Sequence, residues 1–240
     1  MKKLFLIIVL LSAIKCFAQE KIKGIGKFKI NESTRTQVDS ILAGDLGQQF
    51  PDTFDKNENN FLSIHESKWA ILTPDSTQDY AHPYYNYEKV NLLPLHCSMA
   101  TVYFIKSYSI ANIQFESVYL TFRKDTLVGF VSDYSEEITD AMKLKYGNIQ
   151  PTMKTTLINC QNKIGNKFTK DETEIIYSWK NGSIEAKSYF KQYGCNGSFL
   201  TYFSVKDNAK LSTLQKCSND AYLKIKGKLD TQKKKSLKDF

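Results

Sequence analysis

A chain of 240 residues is long enough for one large domain or two small ones, and its 33 basic against 25 acidic residues leave a formal charge of +8. No apolar run reaches the roughly 20 residues that a membrane-spanning helix needs. The modest basic excess comes without a nucleic-acid-binding motif, so the reading excludes both a membrane span and nucleic-acid recognition.

The first residues, "MKKLFLIIVLLSAIKCFAQ", run from two lysines through an apolar stretch, Leu4 to Leu11, to the small Ala18 before Gln19. That order predicts a secretory signal peptide over 1–18. The product is then an exported protein, periplasmic or secreted, that begins at Gln19 and carries a net charge of +5. Cys16 invites a lipid anchor, but Lys15 stands before it where lipoprotein signals have a small residue.

"FKINESTRTQVDSILAGDLG" predicts a short strand and a helix capped by Ser33 or Thr34. Val38, Ile41 and Leu42 share one face, and Gly44 or Gly47 is the stop. From Gln48 to Pro94 the chain holds four of its five prolines and the polar runs "DKNENN" and "TPDSTQD", which read as a loop-rich insert with one embedded element, "FLSIHESKWAIL".

"TVYFIKSYSIANIQFESVYLTF" is rich in β-branched and aromatic residues, and "RKDT" turns it into "LVGFVSDY", giving an antiparallel hairpin. "SEEITDAMKLKYG" then predicts a helix with Ser135 as its cap, Glu136 and Glu137 at the positive end of its dipole and Gly147 as its stop. Ile138, Ala141, Met142 and Tyr146 form the buried face. After a poorly patterned stretch, "TEIIYSWKNGSIEAKSYF" predicts two strands joined by a type I′ turn at Asn181-Gly182. "QYGCNG" turns the chain once more into "SFLTYFSV".

The expected fold class is α+β: a mostly antiparallel sheet of about five or six strands with two or more short helices. The expected organisation is a signal peptide over 1–18, a single domain over 19–212 with a loop-rich insert over 48–94, and a basic C-terminal segment over 213–240.

Cys97, Cys160, Cys195 and Cys217 remain after the signal, an even number in an oxidising compartment, which favours two disulfides. Three pairings are possible, and the preferred one joins Cys160 to Cys195 and Cys97 to Cys217. A zinc site is the alternative, but no two of these cysteines have the short spacing such sites use.

"DKNENNFLSIHE" places Asp55, Asn57, Asn59, Ser63 and Glu66 at ligand positions of a twelve-residue calcium loop. Asn60 stands where the sharp turn wants glycine, and Pro51, Gly47 and Gly44 break any helix leading in. The segment therefore reads as a polar turn with no cofactor, and calcium is the alternative. His65, His82 and His96 form no local metal-binding pair. Ser188 and Lys191 match S-x-x-K by chance, since they fall in a strand where that nucleophile needs a helix start. No G-x-S-x-G elbow, phosphate loop or dinucleotide fingerprint is present. Tyr80, Tyr84, Tyr85 and Tyr87 crowd around Pro83 inside the insert and form the candidate binding surface, because the ring supplies area and the hydroxyl a polar handle.

The order "GKFKINESTRTQV", hairpin strands, "KLKYG" and "YSWKNGSI" resembles small exported α+β proteins of bacterial envelopes. In outline it is similar to the outer-membrane lipoprotein family and the β-lactamase-inhibitor-like fold, over residues 24–45 and 100–206. Those motifs are topological and carry no catalytic residue, and the chain departs from the pattern in its insert and in lacking a lipidated cysteine. The resemblance implies binding or assembly work with a protein or envelope component. The expectation is thus a non-enzymatic exported binding protein. Its rival is a hydrolase or calcium-binding protein whose site draws Asp55, His65, Glu66 and His82 together from a distance.

Overall fold

The computed structural model describes residues 21–47, 68–72 and 93–236. The chain opens with a small hairpin, β1 (Gly24–Ile25) and β2 (Phe28–Lys29), turned by Gly26 at a φ of 53°. Helix α1 (Arg35–Leu46) follows. Its first turn closes reciprocally: the Thr34 hydroxyl accepts the Gln37 N–H, and the Gln37 side chain accepts the Thr34 N–H. The helix stops at Gly47, where φ is 92°.

Strands β3 (Trp69–Leu72), β4 (Ala100–Ile110), β5 (Ile113–Arg123) and β6 (Thr126–Ser132) come next. Helix α2 (Glu136–Tyr146) leads into β7 (Thr152–Gln161), β8 (Lys167–Asn181), β9 (Ile184–Tyr193) and β10 (Ser198–Asp207), and helix α3 (Asn208–Ser236) completes the described chain.

The eight strands β3 to β10 form one sheet in the order β3-β4-β5-β6-β10-β9-β8-β7, antiparallel at every step. The sheet is two four-stranded meanders, each preceded in the chain by a helix and joined at the β6–β10 seam. On the inner face, Val38 and Leu42 of α1 and Ile138, Met142 and Tyr146 of α2 share one core with Tyr103, Ile105, Leu120, Phe130, Trp179 and Phe203. The back face is covered over the first meander. Leu72, Leu93, Val102, Tyr119 and Val131 pack there, and Leu214 of α3 joins Cys97 and Val128.

The antiparallel α+β class stands, but the sheet is larger than the expected five or six strands, and the 29-residue α3 is not short. One reason is an unread turn. "TVYFIKSYSIANIQFESVYLTF" is two strands folded at Ala111 and Asn112, which have φ of 50° and 66°, the paired positive angles of a type I′ turn. The hairpin expected there is therefore a three-stranded meander. The second reason is β7 and the first part of β8, whose exposed, polar residues gave no pattern to read.

The turn in "WKNGSI" is displaced by one residue. Asn181 pairs with Ile184, so Gly182 and Ser183 are the loop, and Gly182 alone has a positive φ, 60°; glycine in the first loop position is the type II′ arrangement. In "FLSIHESKWAIL" the described part, Trp69–Leu72, is the edge strand β3. In α2 the cap and stop are as expected, while Thr139 takes the buried place that Ala141 was expected to fill. The expected boundary at residue 212 lies inside α3. No helix among the described residues is long and apolar enough to cross a membrane.

Candidate binding surface

Both helices are fixed to the sheet by the same contact. The protein has two tryptophans. Trp69 of β3 donates its indole N–H to the Gly47 carbonyl at 3.3 Å, and Trp179 of β8 donates to the Gly147 carbonyl at 3.0 Å. Each bond satisfies a carbonyl at a helix end that would otherwise lack a partner. At its other end α2 is held by the Thr139 hydroxyl, which donates to the Ser188 hydroxyl at 2.9 Å. These two contacts place α2 over the Ser188–Trp179 region of β8 and β9. Beyond Ser188, toward Tyr193, no helix among the described residues lies above the inner face.

That uncovered end is apolar. The pleat brings Ile175 and Tyr177 of β8 and Phe190 of β9 to the inner face with Met153 and Leu157 of β7 and Phe199 of β10. Phe199 is 57% exposed, Met153 63% and Leu157 65%. The Phe190 and Phe199 rings lie 5.6 Å apart between centroids. Against the start of α2 the surface dips into a hollow of about 240 Å³ lined by Tyr134, Glu136, Ile175, Tyr177, Ser188 and Phe190. Small-molecule sites run to about 300–1,000 Å³, so this hollow suits one side chain of a larger partner. The Lys143 ammonium lies 4.8 Å from the centre of the Tyr177 ring, one of the lining residues, and 2.9 Å from Asp140. The Asp140 hydrogen bond, with that carboxylate's charge, holds the ammonium pKa above its usual value.

The back face of the same strands carries different chemistry. Tyr189 and Tyr202 stack at 4.8 Å, and the Tyr189 hydroxyl donates to Glu174 at 2.7 Å. Burial, then the carboxylates nearby, push Tyr202 up to about 12, and burial with the Glu174 bond raises Tyr189 as well. Glu185 accepts from the Ser178 hydroxyl at 2.6 Å and the Asn208 amide at 2.9 Å. Burial opposes its ionisation, but those two bonds with Lys187 and Lys180 outweigh burial and hold the carboxyl below the usual range. Burial, and then the charge of Lys187, lower the Lys206 ammonium. Tyr189 with Glu174, and Glu185 with Ser178 and Asn208, are thus held by partners within the back face. Ser188 lies within β9, is buried and accepts the Thr139 hydroxyl.

Two disulfides brace the structure in the preferred pairing. Cys160–Cys195 ties the tip of the β7–β8 hairpin to the β9–β10 turn, and Cys97–Cys217 ties the segment before β4 to α3. The first rigidifies the uncovered end of the sheet; the second clamps the covered one.

Of the residues singled out from sequence, Tyr80, Tyr84, Tyr85 and Tyr87 lie outside the described residues, as do Asp55, Asn57, Asn59, Ser63, Glu66, His65 and His82. His96 lies in the segment before β4, where its ring faces Tyr222 of α3 at 5.3 Å and its backbone N–H donates to Ser218. Among the described residues no three His, Cys, Asp or Glu side chains gather to hold a metal. Ile175, Tyr177, Phe190 and Phe199 were not singled out. Their signal was present: "SFLTYFSV" carries apolar residues at both parities, Phe199 and Phe203 on one face and Leu200 and Tyr202 on the other, which is more than a half-covered strand needs.

No protein-family model, curated protein or solved structure matches the chain.

Proposed function

We propose that the protein is an exported, non-enzymatic binding or envelope-assembly protein that grips a polypeptide partner on the uncovered inner face of β7–β10. The observation that carries this is where the exposed large hydrophobic residues lie. Among the described residues there are nine: Met153, Leu157 and Phe199 lie on this inner face, Ile164 and Phe168 lie at the adjoining β7–β8 tip, and none falls in β1 to β6. Apolar side chains concentrated at one end of a sheet, beside a hollow the size of a side chain, form a contact surface for protein. Export is the natural setting, because two disulfides persist in an oxidising compartment. The sequence's resemblance to envelope proteins supports the same reading.

A benzophenone amino acid placed at Phe199 tests it in the cells that make the protein. The expected result is a light-dependent adduct with another polypeptide, weakened by Leu157→Ser on the same face. The same group at Lys124, exposed on the β5–β6 turn, gives no such adduct. Equal labelling from both positions would overturn the proposal.

A further inference from the structure

Among the described residues the eight-stranded sheet ends in two edges, β3 and β7. β3 is four residues long, and its Trp69 is buried under α1. β7 is ten residues long, pairs with β8 without a bulge, contains no proline and carries one charge, Lys154. Edge strands are ordinarily blunted by shortness, bulges, prolines or charges, because their unpaired backbone groups invite another strand. β7 has almost none of these protections.

The register shows which backbone groups are open. In the β7–β8 loop the Asn162 N–H donates to the Asn166 carbonyl at 3.0 Å, and pairing runs unbroken from Gln161–Lys167 back to Thr152–Ile176. The alternation of an antiparallel ladder then turns the even-numbered residues of β7 toward β8. It points the N–H and C=O groups of Met153, Thr155 and Leu157 away from the sheet. Met153 and Leu157 are also the exposed apolar residues of this strand.

We propose that β7 is a self-association edge, through which two copies of the chain join their sheets by antiparallel pairing centred on Thr155. The sequence of the strand is complementary to itself in that register. Met153 lies opposite Leu157 of the second copy, on the inner face; Lys154 lies opposite Thr156, so the one charge of the strand does not meet its like. Pro151, which has no N–H to give, would fall opposite Asn159 and ends the ladder. A two-fold axis makes such an interface isologous, so each copy uses the same surface and the assembly closes at two. The inference goes beyond the proposed partner surface: it uses the open edge of the sheet and leaves Phe190, Phe199 and the hollow free.

Sedimentation equilibrium of the purified protein tests the assembly, and two substitutions test its register. The wild-type chain is expected to reach twice the monomer mass as its concentration rises. Thr155→Pro deletes an outward N–H without touching the β8 ladder, so it should leave the thermal midpoint in place at concentrations where the wild type is monomeric while raising the dissociation constant about tenfold or more. At the centre of an antiparallel hydrogen-bonded pair, Cα atoms lie about 5.5 Å apart, within disulfide range. Thr155→Cys should therefore give an oxidised dimer bridged at that residue, and Thr156→Cys, which faces Lys154, should not. A monomer mass at every concentration would overturn the proposal, as would a dimer that neither Thr155→Pro nor Thr155→Cys affects. Protection of the β7 amides that appears only when an extended peptide of foreign sequence is added would also overturn it, by assigning the edge to another partner.

Discussion

The two meanders share one construction and put it to different ends. Each begins with a helix of three turns capped by Thr34 or Ser135, stopped by a glycine at a φ of 92° or 95° and tied to the sheet by a tryptophan. In the β3–β6 half the plan is filled in. Arg35 and Asp39 of α1 both bond the Tyr103 hydroxyl, Asp45 accepts from Tyr108 and from Lys27, and both sheet faces are covered. In the β7–β10 half the neutral Thr139–Ser188 pair and the Lys143 ammonium over the Tyr177 ring join the helix to the strands besides the tryptophan, and no described element covers the far end of the inner face. The shared parts are what the fold requires. The inner face that no described element covers in the second half is the surface on which the proposed partner contact rests.

Removing the disulfides sharpens this contrast most. Cys97 and Cys217 are 120 residues apart and Cys160 and Cys195 are 35 apart, so by loop entropy the two bridges contribute about 5 and about 4 kcal/mol. Paired alanine replacements followed by urea unfolding measure both. Loss of Cys160–Cys195 should also speed amide exchange in the β7–β8 hairpin while β4 and β5 stay protected. Uniform loss of protection would show that the two halves are not separable in this way.

The tryptophans come next. Both are buried, at 3% and 4% exposed, and alanine at either site should cost about 3–5 kcal/mol by the usual measure of large core deletions. If the two halves share their construction, the two costs agree to within about 1 kcal/mol. A large penalty at Trp69 beside a small one at Trp179 would break the parallel.

Much of this architecture could be read from the sequence, and the gaps have physical causes. The helix caps, with Ser33 left beside Thr34 as an alternative, the "QYGCNG" turn and the number of disulfides were legible because each depends on local chemistry or simple arithmetic, while the pairing observed was a preference among three. The Ala111-Asn112 turn was not, since neither residue is the glycine that usually announces a positive φ. Ser117, at a φ of 49°, lets both Phe115 and Val118 face the inner core, breaking the alternation on which strand reading depends. The exposure of the candidate surface was hidden for a different reason, although the surplus of apolar residues in "SFLTYFSV" was visible. Phe190 and Phe199 look like core residues in their own strands, and only the place where α2 ends leaves them uncovered.

A smaller effect separates the two helix-to-sheet attachments by pH. The Tyr108 hydrogen bond, and then that from Lys27, hold the Asp45 carboxyl below its ordinary value. Its contribution is complete above the unfolded carboxylate pKa of about 4 and is lost as pH falls through the lower folded value. Asp45→Asn should cost about 1 kcal/mol at neutral pH, a figure reduced for partial exposure, and should flatten the acid limb of the stability curve. The Thr139–Ser188 contact has no titrating group, so Thr139→Val should leave the shape of that limb unchanged.

The most direct measurement is the thermal midpoint and urea stability of Leu157→Ser/Phe199→Ser, read beside the yield of the benzophenone adduct formed from a neighbouring inner-face position, Thr201. If the bare end of β7–β10 is a contact surface, the double variant should stay within about 1 kcal/mol of wild type, as exposed sites do, while the adduct disappears. A loss of several kcal/mol, on the scale of a core deletion, with the adduct intact would show that these side chains serve the fold of this protein and that its partner binds elsewhere.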